Sequence, residues 1–400
     1  MRYRYLAYTS APRVLVAVGK FLGNGDLVLA EKILRYIRAQ GIRGYMVVFS
    51  SRNMPEVHAA IRQHLPSLIV YCCSFADSRE AVQIPSVAIC EYDFSGYCQP
   101  RAADVVYPLG LSFFGIMPPL ESYNSRLSAL RAVQDKRLRS VFDDGNHASF
   151  LAHNSLFMCY SHYASDLVLY FFLGTAYLER CNSQDICIMA PPMDAWFMSK
   201  LAILDDALKN YGVATRVLIQ ISDNGEFVSH VETLSETGKL LRIVTAKVGL
   251  EDHERLTFAA ATFAMSTGDQ HSGICLFWGK LMLYELFPHK ANYWANMDDM
   301  ACQVAPHKSN LIKDIFAFSK SFCRFISKNA SVTHGLSETA AQEDELSSFP
   351  EPASLRILCS ILDQIDDFPG KKIGDYVATH KSADKYFLPL LQKLGSPSEG

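Results

Sequence analysis

Short apolar segments alternate with segments of helical periodicity from the first part of the chain onward. RVLVAVG (Arg13–Gly19) is almost wholly apolar and rich in branched residues, which predicts a strand buried on both faces. Apolar residues then recur at helical spacing from Asp26 onward, and the glycine of AQG is typical of a helix end. GYMVVFS and SLIVYCCSF predict two further strands with a helix between them.

The alternation returns in the second half of the chain. The apolar segment LVLYFFLGTAYL predicts a buried helix, because it is shorter than the roughly 20 residues that span a bilayer. DICIMAP and VATRVLIQIS then predict strands joined by a helix that ends at a glycine. Further along, TFAM and LMLYELF predict two more strands on either side of a helical pattern.

Two segments interrupt this alternation. Residues 129–153 are polar and charged, and DDGNHAS within them predicts a turn or loop. Residues 333–352 are acidic, rich in small residues and short of apolar residues, which predicts a linker. Beyond this linker, ASLRILCSILDQIDDF has helical spacing, so we expect C-terminal helices that pack on the rest of the protein.

Strands that alternate with helices at this period favour parallel βαβ units in doubly wound sheets. We therefore predict an α/β fold with two Rossmann-like doubly wound domains and a C-terminal helical extension. The predicted parts are an N-terminal domain (1–155), a connecting helix (156–184), a C-terminal domain (185–332), and a linker with C-terminal helices (333–400).

Composition narrows the class of protein. With 49% hydrophobic residues, 20% charged residues and a net charge of -3, the chain is typical of soluble globular proteins. It lacks the excess of basic residues that is typical of proteins that bind nucleic acid, so we expect no nucleic-acid partner. Its 11 cysteines lie mostly in apolar segments, without a CxxC pair or the spacing of a secreted disulfide framework. We therefore expect buried thiols, no metal site and a cytoplasmic location, with no signal peptide and no transmembrane segment.

The first candidate site is the turn Gly23, Asn24 and Gly25 followed by Asp26, between the first predicted strand and its helix. Such a turn places backbone N–H groups and the positive end of a helix at the carboxyl edge of a parallel sheet. The dinucleotide fingerprint GxGxxG is incomplete because position 28 is Val, which disfavours an NAD site. Two interpretations of Asp26 stay open, a helix N-cap and a general base that deprotonates an acceptor.

The second candidate site is STGDQHS, which follows the predicted strand TFAM and precedes a helical pattern. Its backbone N–H groups are placed to receive a diphosphate, and His271 could add a charge-assisted hydrogen bond. Cationic and donor groups at His289 and Lys290 follow the next predicted strand, LMLYELF, at the same edge. The residues of the turn itself are Thr267, Gly268, Asp269, Gln270 and His271.

These two stretches resemble known motifs. The second half resembles that of GT-B glycosyltransferases, in particular the bacterial enzymes that add N-acetylglucosamine to the lipid-linked peptidoglycan precursor. The residues that carry this pattern are Phe287, His289, Lys290, Tyr293, Trp294 and Asn296. GNGD resembles the FGD loop of the protein-arginine rhamnosyltransferase family, whose aspartate acts as base. That family's Gly-Glu-Asp donor motif is matched in part by Gly268, Asp269 and Gln270.

The resemblance implies a glycosyltransferase that moves a sugar from a nucleotide-diphosphate donor to an acceptor such as a glycan, a lipid-linked sugar or a protein. It implies an inverting reaction with Asp26 as the base and Gly23, Asn24 and Gly25 as an acceptor loop. No DxD metal motif is present, so we expect a metal-independent reaction with no cofactor besides the nucleotide sugar. The donor-binding residues implied are Thr267, Gly268, Asp269, Gln270, His271, Glu285, His289 and Lys290.

One position departs from the family pattern. Related enzymes often carry a ribose-binding glutamate one turn into the helix after the donor loop, where this chain has Ile274. Glu285 on the next strand is the candidate substitute. Two alternatives therefore stay open: a pyruvyl-transferase-like enzyme, which shares a GD loop and the two-half layout, and a catalytically silent nucleotide-sugar-binding protein on the same scaffold.

Overall fold

The structure is a computed structural model. It describes residues 13–19, 25–39, 43–50, 70–74, 86–90, 103–108, 116–161, 166–192, 203–204, 207–208, 215–223, 226–232, 239–285, 291–322, 349–385 and 389. By its internal contacts the chain forms two compact units. The first unit comprises Met1–Leu120 and Val377–Gly400, and the second comprises Glu121–Tyr376.

The first unit contains a five-stranded parallel sheet. Its strands are β1 (Arg13–Gly19), β2 (Arg43–Ser50), β3 (Val70–Ser74), β4 (Ser86–Cys90) and β5 (Ala103–Pro108). Their order is β3-β2-β1-β4-β5, so the strand order reverses beside β1. The carboxyl end of β1 therefore lies at the switch point where open α/β sheets bind ligands.

Helix α1 (Gly25–Ala39) follows β1, as the sequence predicted. Its side chains Ile33, Leu34 and Ile37 are at most 2% exposed. On the same helix, the guanidinium of Arg35 donates to the Glu31 carboxylate at 2.6 Å, one turn away. The apolar periodicity of this segment thus marks the side of the helix that packs in the interior.

A seven-stranded sheet forms the second unit. Its strands are β6 (Asn154–Cys159), β7 (Asp185–Ala190), β8 (Thr215–Asp223), β9 (Glu226–Glu232), β10 (Lys239–Thr245), β11 (Phe263–Ser266) and β12 (Leu281–Tyr284). Their order is β12-β11-β6-β7-β10-β8-β9, and all pairs are parallel except β8 with β9. The predicted α/β fold with parallel sheets is confirmed in both units.

The described helices of the second unit are α2 (Arg126–Arg131), α3 (His147–His153), α4 (Asp166–Leu178), α5 (Leu250–Ala259), α6 (Asp269–Phe277), α7 (Ala291–Val304), α8 (Ser309–Ser321), α9 (Pro352–Leu362) and α10 (Gly370–Tyr376). Across the described ranges, no helix is long and apolar enough to cross a membrane.

The apolar helix predicted from LVLYFFLGTAYL is α4, and it is buried along most of its length. Gly174 lets neighbours approach it closely: a Cβ there would lie 3.1 Å from Leu362 Cδ1 and 3.2 Å from Phe263 Cε1. The rings of Phe171 and Phe263 lie 5.2 Å apart between α4 and β11. Because α9 also packs on α4, the predicted packing of a C-terminal helix on the body is confirmed.

The prediction of a polar loop at 129–153 is only partly right. The turn Asp143–Gly145 is present, with Gly145 at a positive φ of 96°. The segment otherwise forms α2, a short 3-10 helix (Lys136–Arg139) and α3. Its buried apolar side chains join a core with Leu156 and Met158 of β6, and the main contributors are Leu130, Leu138, Val141, Phe142 and Phe150. The apolar residues of this segment are irregularly spaced among charged residues, so the sequence pattern did not identify them as core positions.

The two compact units divide the chain at different places from the predicted boundaries at 155, 184 and 332. Residues 121–155 belong to the second unit, since their apolar side chains pack on β6. Helices α9 and α10 also belong to it. The chain beyond Tyr376 belongs to the first unit, where the Ile116 amide donates to the Lys381 carbonyl at 2.7 Å.

The buried Arg255 of α5 binds the start of the second unit. Arg255 is 4% exposed and donates to Asp252 at 2.9 Å and to Glu121 at 2.8 Å. The Asp252 carboxylate also accepts the backbone amides of Gln134 and Asp135 at 2.9 and 2.8 Å. The segment before β6 is therefore held by charge-assisted hydrogen bonds as well as by apolar packing.

Candidate functional site

The turn after β11 contains a buried hydroxyl and an open glycine. Thr267 is 0% exposed, and its Oγ1 has no hydrogen-bond partner among the residues that the structure describes. Gly268 has φ 74° and ψ 150°, a conformation essentially restricted to glycine. No described heavy atom lies within 4 Å of the position that a Cβ on Gly268 would take. Since buried polar groups are normally paired, Thr267 marks a place that a ligand or water could occupy.

Helix α6 begins directly after this turn. Asp269 is its first residue, and Gly268 before it has no side chain to cap the free N–H groups of the first turn. The backbone carbonyl of Gly268 accepts from the Ser272 amide at 3.3 Å and from the Ser272 hydroxyl at 3.0 Å, which holds the turn against the helix. A helix N-terminus of this kind, at the carboxyl edge of a parallel sheet, suits an anion.

His271 is an interior residue that holds the turn. It is 5% exposed, and its Nδ1 lies 2.9 Å from Ser266 Oγ while its Nε2 lies 3.4 Å from Thr257 Oγ1. The Thr257 hydroxyl already donates to the His253 carbonyl at 2.7 Å, so the bonds favour the tautomer with its proton on Nε2.

Burial lowers the pKa of His271 well below its ordinary value, and the charge of His253 lowers the pKa further. The ring is therefore neutral at physiological pH. In this arrangement the neutral imidazole of His271 brings no positive charge to the turn, and the predicted contact of His271 with a diphosphate stays a prediction.

Two rings that the sequence analysis missed surround His271. The ring centroid of Tyr160 lies 5.1 Å from that of His271, and the ring centroid of His253 lies 4.7 Å from it. Tyr160 and His253 themselves lie 5.1 Å apart, edge to face at 71°. Tyr160 follows β6, and its amide donates to the Met265 carbonyl of β11 at 2.9 Å. If β6 had been identified in the sequence, Tyr160 would have been recognised as a residue at the carboxyl end of a strand.

Glu285 lies at the same edge of the sheet. It directly follows β12, is 3% exposed, and accepts a hydrogen bond from the Ser161 hydroxyl at 2.5 Å. Its amide donates to the Ser266 carbonyl at 3.0 Å, next to the Thr267 turn. Burial, and secondarily the charge of Glu285, raises the pKa of the Cys159 thiol well above its ordinary value. The structure thus joins the backbone of Glu285 to the strand before the predicted donor turn, while its carboxylate is bonded to Ser161.

Ile274 offers no polar group to a ribose. It lies within α6, is 3% exposed and belongs to the core. Gln270, in the first turn of the same helix, is partly exposed. His289 and Lys290 lie outside the described residues.

In the first unit, Asp26 is the second residue of α1, after the switch-point strand β1. The helix begins at Gly25, so Asp26 lies in its first turn, where the helix dipole favours a carboxylate. Gly23 and Asn24 of the predicted acceptor loop lie outside the described residues.

Within the described ranges, no group of three or more His, Cys, Asp and Glu side chains is placed to hold a metal ion.

No protein-family model and no curated protein matches this sequence. Among solved structures, the N-terminal domain of trehalose-6-phosphate phosphatase from Candida albicans is similar at 8% identity, with a TM-score of 0.37 and coverage of 97% of this chain and 98% of that one. MurG from Acinetobacter baumannii is similar at 10% identity, with a TM-score of 0.41 and coverage of 95% and 99%.

A third similar structure describes EarP-mediated arginine glycosylation of translation elongation factor EF-P. Its identity is 12%, its TM-score 0.47 and its coverage 95% of this chain and 99% of that one. Identities and scores this low give no basis for transferring residues or substrates. The structural neighbours of this chain nevertheless include GT-B glycosyltransferases, the fold that its motifs resemble.

Proposed function

We propose that this chain is a glycosyltransferase that moves a sugar from a nucleotide-diphosphate donor to an acceptor. The observation that carries the proposal is the Thr267–Gly268 turn. A fully buried hydroxyl with no hydrogen-bond partner among the described residues adjoins an open glycine and the N-terminus of α6. Backbone amides, a hydroxyl donor and a helix dipole at one point suit a diphosphate.

In the donor site, the amides of Gly268, Asp269 and Gln270 would hold the diphosphate together with the hydroxyl of Thr267. His271 would keep the turn in place through Ser266 and Thr257. Glu285 would accept hydrogen bonds from hydroxyl groups of the nucleoside. It would replace the glutamate that related enzymes often carry at the position of Ile274. His289 and Lys290 would add donors and positive charge after the next strand. No metal ion or resident cofactor takes part.

Asp26 would act on the acceptor. Its position in the first turn after β1 places it at the carboxyl edge of the first sheet, where doubly wound proteins bind ligands. As general base it would take a proton from the attacking group of the acceptor, which leads to inversion when attack comes from the face opposite the leaving diphosphate. A glycan, a lipid-linked sugar or a protein could supply such a group.

The proposal is tested by calorimetric titration of the wild type, Thr267→Val and Thr262→Val with UDP and with dTDP. Thr262 is exposed in the loop before β11 and serves as the matched control. One lost hydrogen bond of about 1–1.5 kcal/mol predicts roughly tenfold weaker binding by Thr267→Val and unchanged binding by Thr262→Val. The proposal fails if neither nucleotide binds the wild type, or if both variants bind as tightly as the wild type.

The burial of Ile274 favours a second candidate, a nucleotide-sugar-binding protein without catalysis. Both candidates predict nucleotide binding, so the distinction rests on turnover. Incubation with nucleotide sugars and acceptor mixtures should release nucleotide diphosphate if the chain is a transferase. Binding without release would favour the silent protein.

A further inference from the structure

A nucleotide diphosphate needs positive charge beyond what a helix N-terminus offers, because the helix end carries only about half an elementary charge. The sequence analysis placed that charge on His271, His289 and Lys290, and His271 is buried and neutral in the structure. The adjacent ring belongs to His253, a partly exposed residue whose Nε2 atom is buried, and it lies 4.7 Å from His271.

His253 lies nearer than Thr257 to the carboxyl edge of the sheet. Helix α5 begins at Leu250, shortly after the carboxyl end of β10, and runs back toward the start of β11. His253 stands in its first turn, whose start is marked by the bond from the His253 amide to the Gly249 carbonyl at 2.9 Å. Thr257 is one turn further along. His271 contacts both residues, so His253 is the neighbour nearer the carboxyl edge.

The titratable and charged groups near His253 belong to His271, Glu251, Asp252 and Arg255. The charge of His253 lowers the pKa of His271, so the pair resists carrying two charges, and burial assigns the neutral state to His271. The acidic neighbours Glu251 and Asp252 lie 3.7 and 2.9 Å from the guanidinium of Arg255. The ring of Tyr160 packs against that of His253 at a centroid distance of 5.1 Å.

We propose that His253 supplies the positive charge that binds the phosphate groups of the nucleotide diphosphate at the N-terminus of α6. This inference rests on the proposed function of the Thr267–Gly268 turn. It assigns to His253 the binding role that the sequence had suggested for His271. His271 is then a positioning residue, which holds the turn and packs against the ring of His253.

The test compares UDP binding by the wild type, His253→Gln, His253→Lys and His307→Gln in calorimetry, after circular dichroism shows that each variant is folded. His307 is an exposed histidine in the loop between α7 and α8 and serves as the control. We expect His253→Gln to bind about tenfold or more weakly, since a charge-assisted hydrogen bond is lost. Lysine restores the charge without the ring, so His253→Lys should bind within about threefold of the wild type.

A second readout is the dependence of UDP affinity on salt concentration. Wild-type affinity should fall more steeply between low and high ionic strength than the affinity of His253→Gln, because one charge contact is missing in the variant.

The outcomes separate the inference from the proposed function. If the wild type binds UDP and His253→Gln binds equally well with the same salt dependence, the role of His253 is overturned and the donor site stands. If both His253→Gln and His253→Lys lose affinity to the same extent, the ring acts by packing alone and the inference is also overturned. If the wild type binds no nucleotide, the proposed function and this inference fail together.

Discussion

Gly279 and Gly370 meet backbone to backbone in the second unit. A Cβ on Gly279 would lie 2.1 Å from the Gly370 carbonyl oxygen, and a Cβ on Gly370 would lie 2.2 Å from that of Gly279. Gly374 makes a similar approach, since its Cβ would lie 2.7 Å from the Phe277 carbonyl oxygen. These contacts join the end of α6, the helix of the candidate donor turn, to α10.

We predict that Gly370→Ala destabilises the protein by about 1–3 kcal/mol, because backbone atoms must move to admit a methyl group. Gly279→Ala should cost more, since its φ of 62° adds strain for any side chain. Urea unfolding measures both effects. Gly249→Ala is the control, because a Cβ there meets no described atom within 4 Å. Equal midpoints for Gly370→Ala and Gly249→Ala would contradict the prediction.

Lys280 should make stability rise with pH. Burial lowers its pKa from 10.5 to about 7, although its ammonium group donates to the carbonyls of Phe258 and Ala260 at 3.3 and 2.5 Å. Between pH 7 and 10.5 the unfolded chain keeps a proton on Lys280 that the folded chain has lost. Stability rises with pH wherever the unfolded state binds more protons, so this residue contributes a positive slope in that range.

The measurement is urea unfolding of the wild type and Lys280→Met from pH 7 to pH 10. The stability of the wild type should increase with pH relative to the variant, whatever the absolute cost of losing the two hydrogen bonds. Lys320→Met, at an exposed position on α8, should keep the wild-type slope. Parallel pH profiles for the wild type and Lys280→Met would refute the expectation.

The Arg255 network should contribute more to stability than the exposed pair between Arg180 and Asp363. Both arginines reach a carboxylate at 2.8 Å. The Arg255 side chain is 4% exposed, whereas the side chains of Arg180 and Asp363 are 39% and 51% exposed. Arg255→Met removes the cation that pairs with the buried Asp252 and leaves it only its two backbone-amide donors, so we expect a loss of about 3 kcal/mol, against about 0–1 kcal/mol for Arg180→Met. Chemical denaturation of both variants decides the comparison.

Asp26→Asn should abolish most turnover while leaving nucleotide affinity intact. Removal of a general base typically costs about 10²- to 10⁴-fold in rate. Hydrolysis of the donor in the absence of acceptor is the assay, and UDP titration is the internal control, since Asp26 belongs to the other unit from the donor turn. Equal hydrolysis by the folded variant and the wild type would exclude Asp26 as the base.

Long buried apolar runs explain which elements the sequence predicted well. β7, β11 and α4 were all identified, because a strand or helix buried on every side must be apolar throughout and is bounded by residues that end it. β6 was missed because it begins with Asn154 and Ser155 and continues directly from α3, whose segment was interpreted as a loop.

By itself, the sequence determined the α/β class and the position of the turn at Gly268. Glycine between an apolar strand and a helical pattern is a local signal, and the structure places Gly268 at a φ of 74°, where a side chain is strained. The charge state of His271, the neighbouring rings of Tyr160 and His253, and the carboxylate of Glu285 were decided by tertiary structure alone. These features depend on which strands and helices exclude water from a side chain, and residues distant in sequence set that burial.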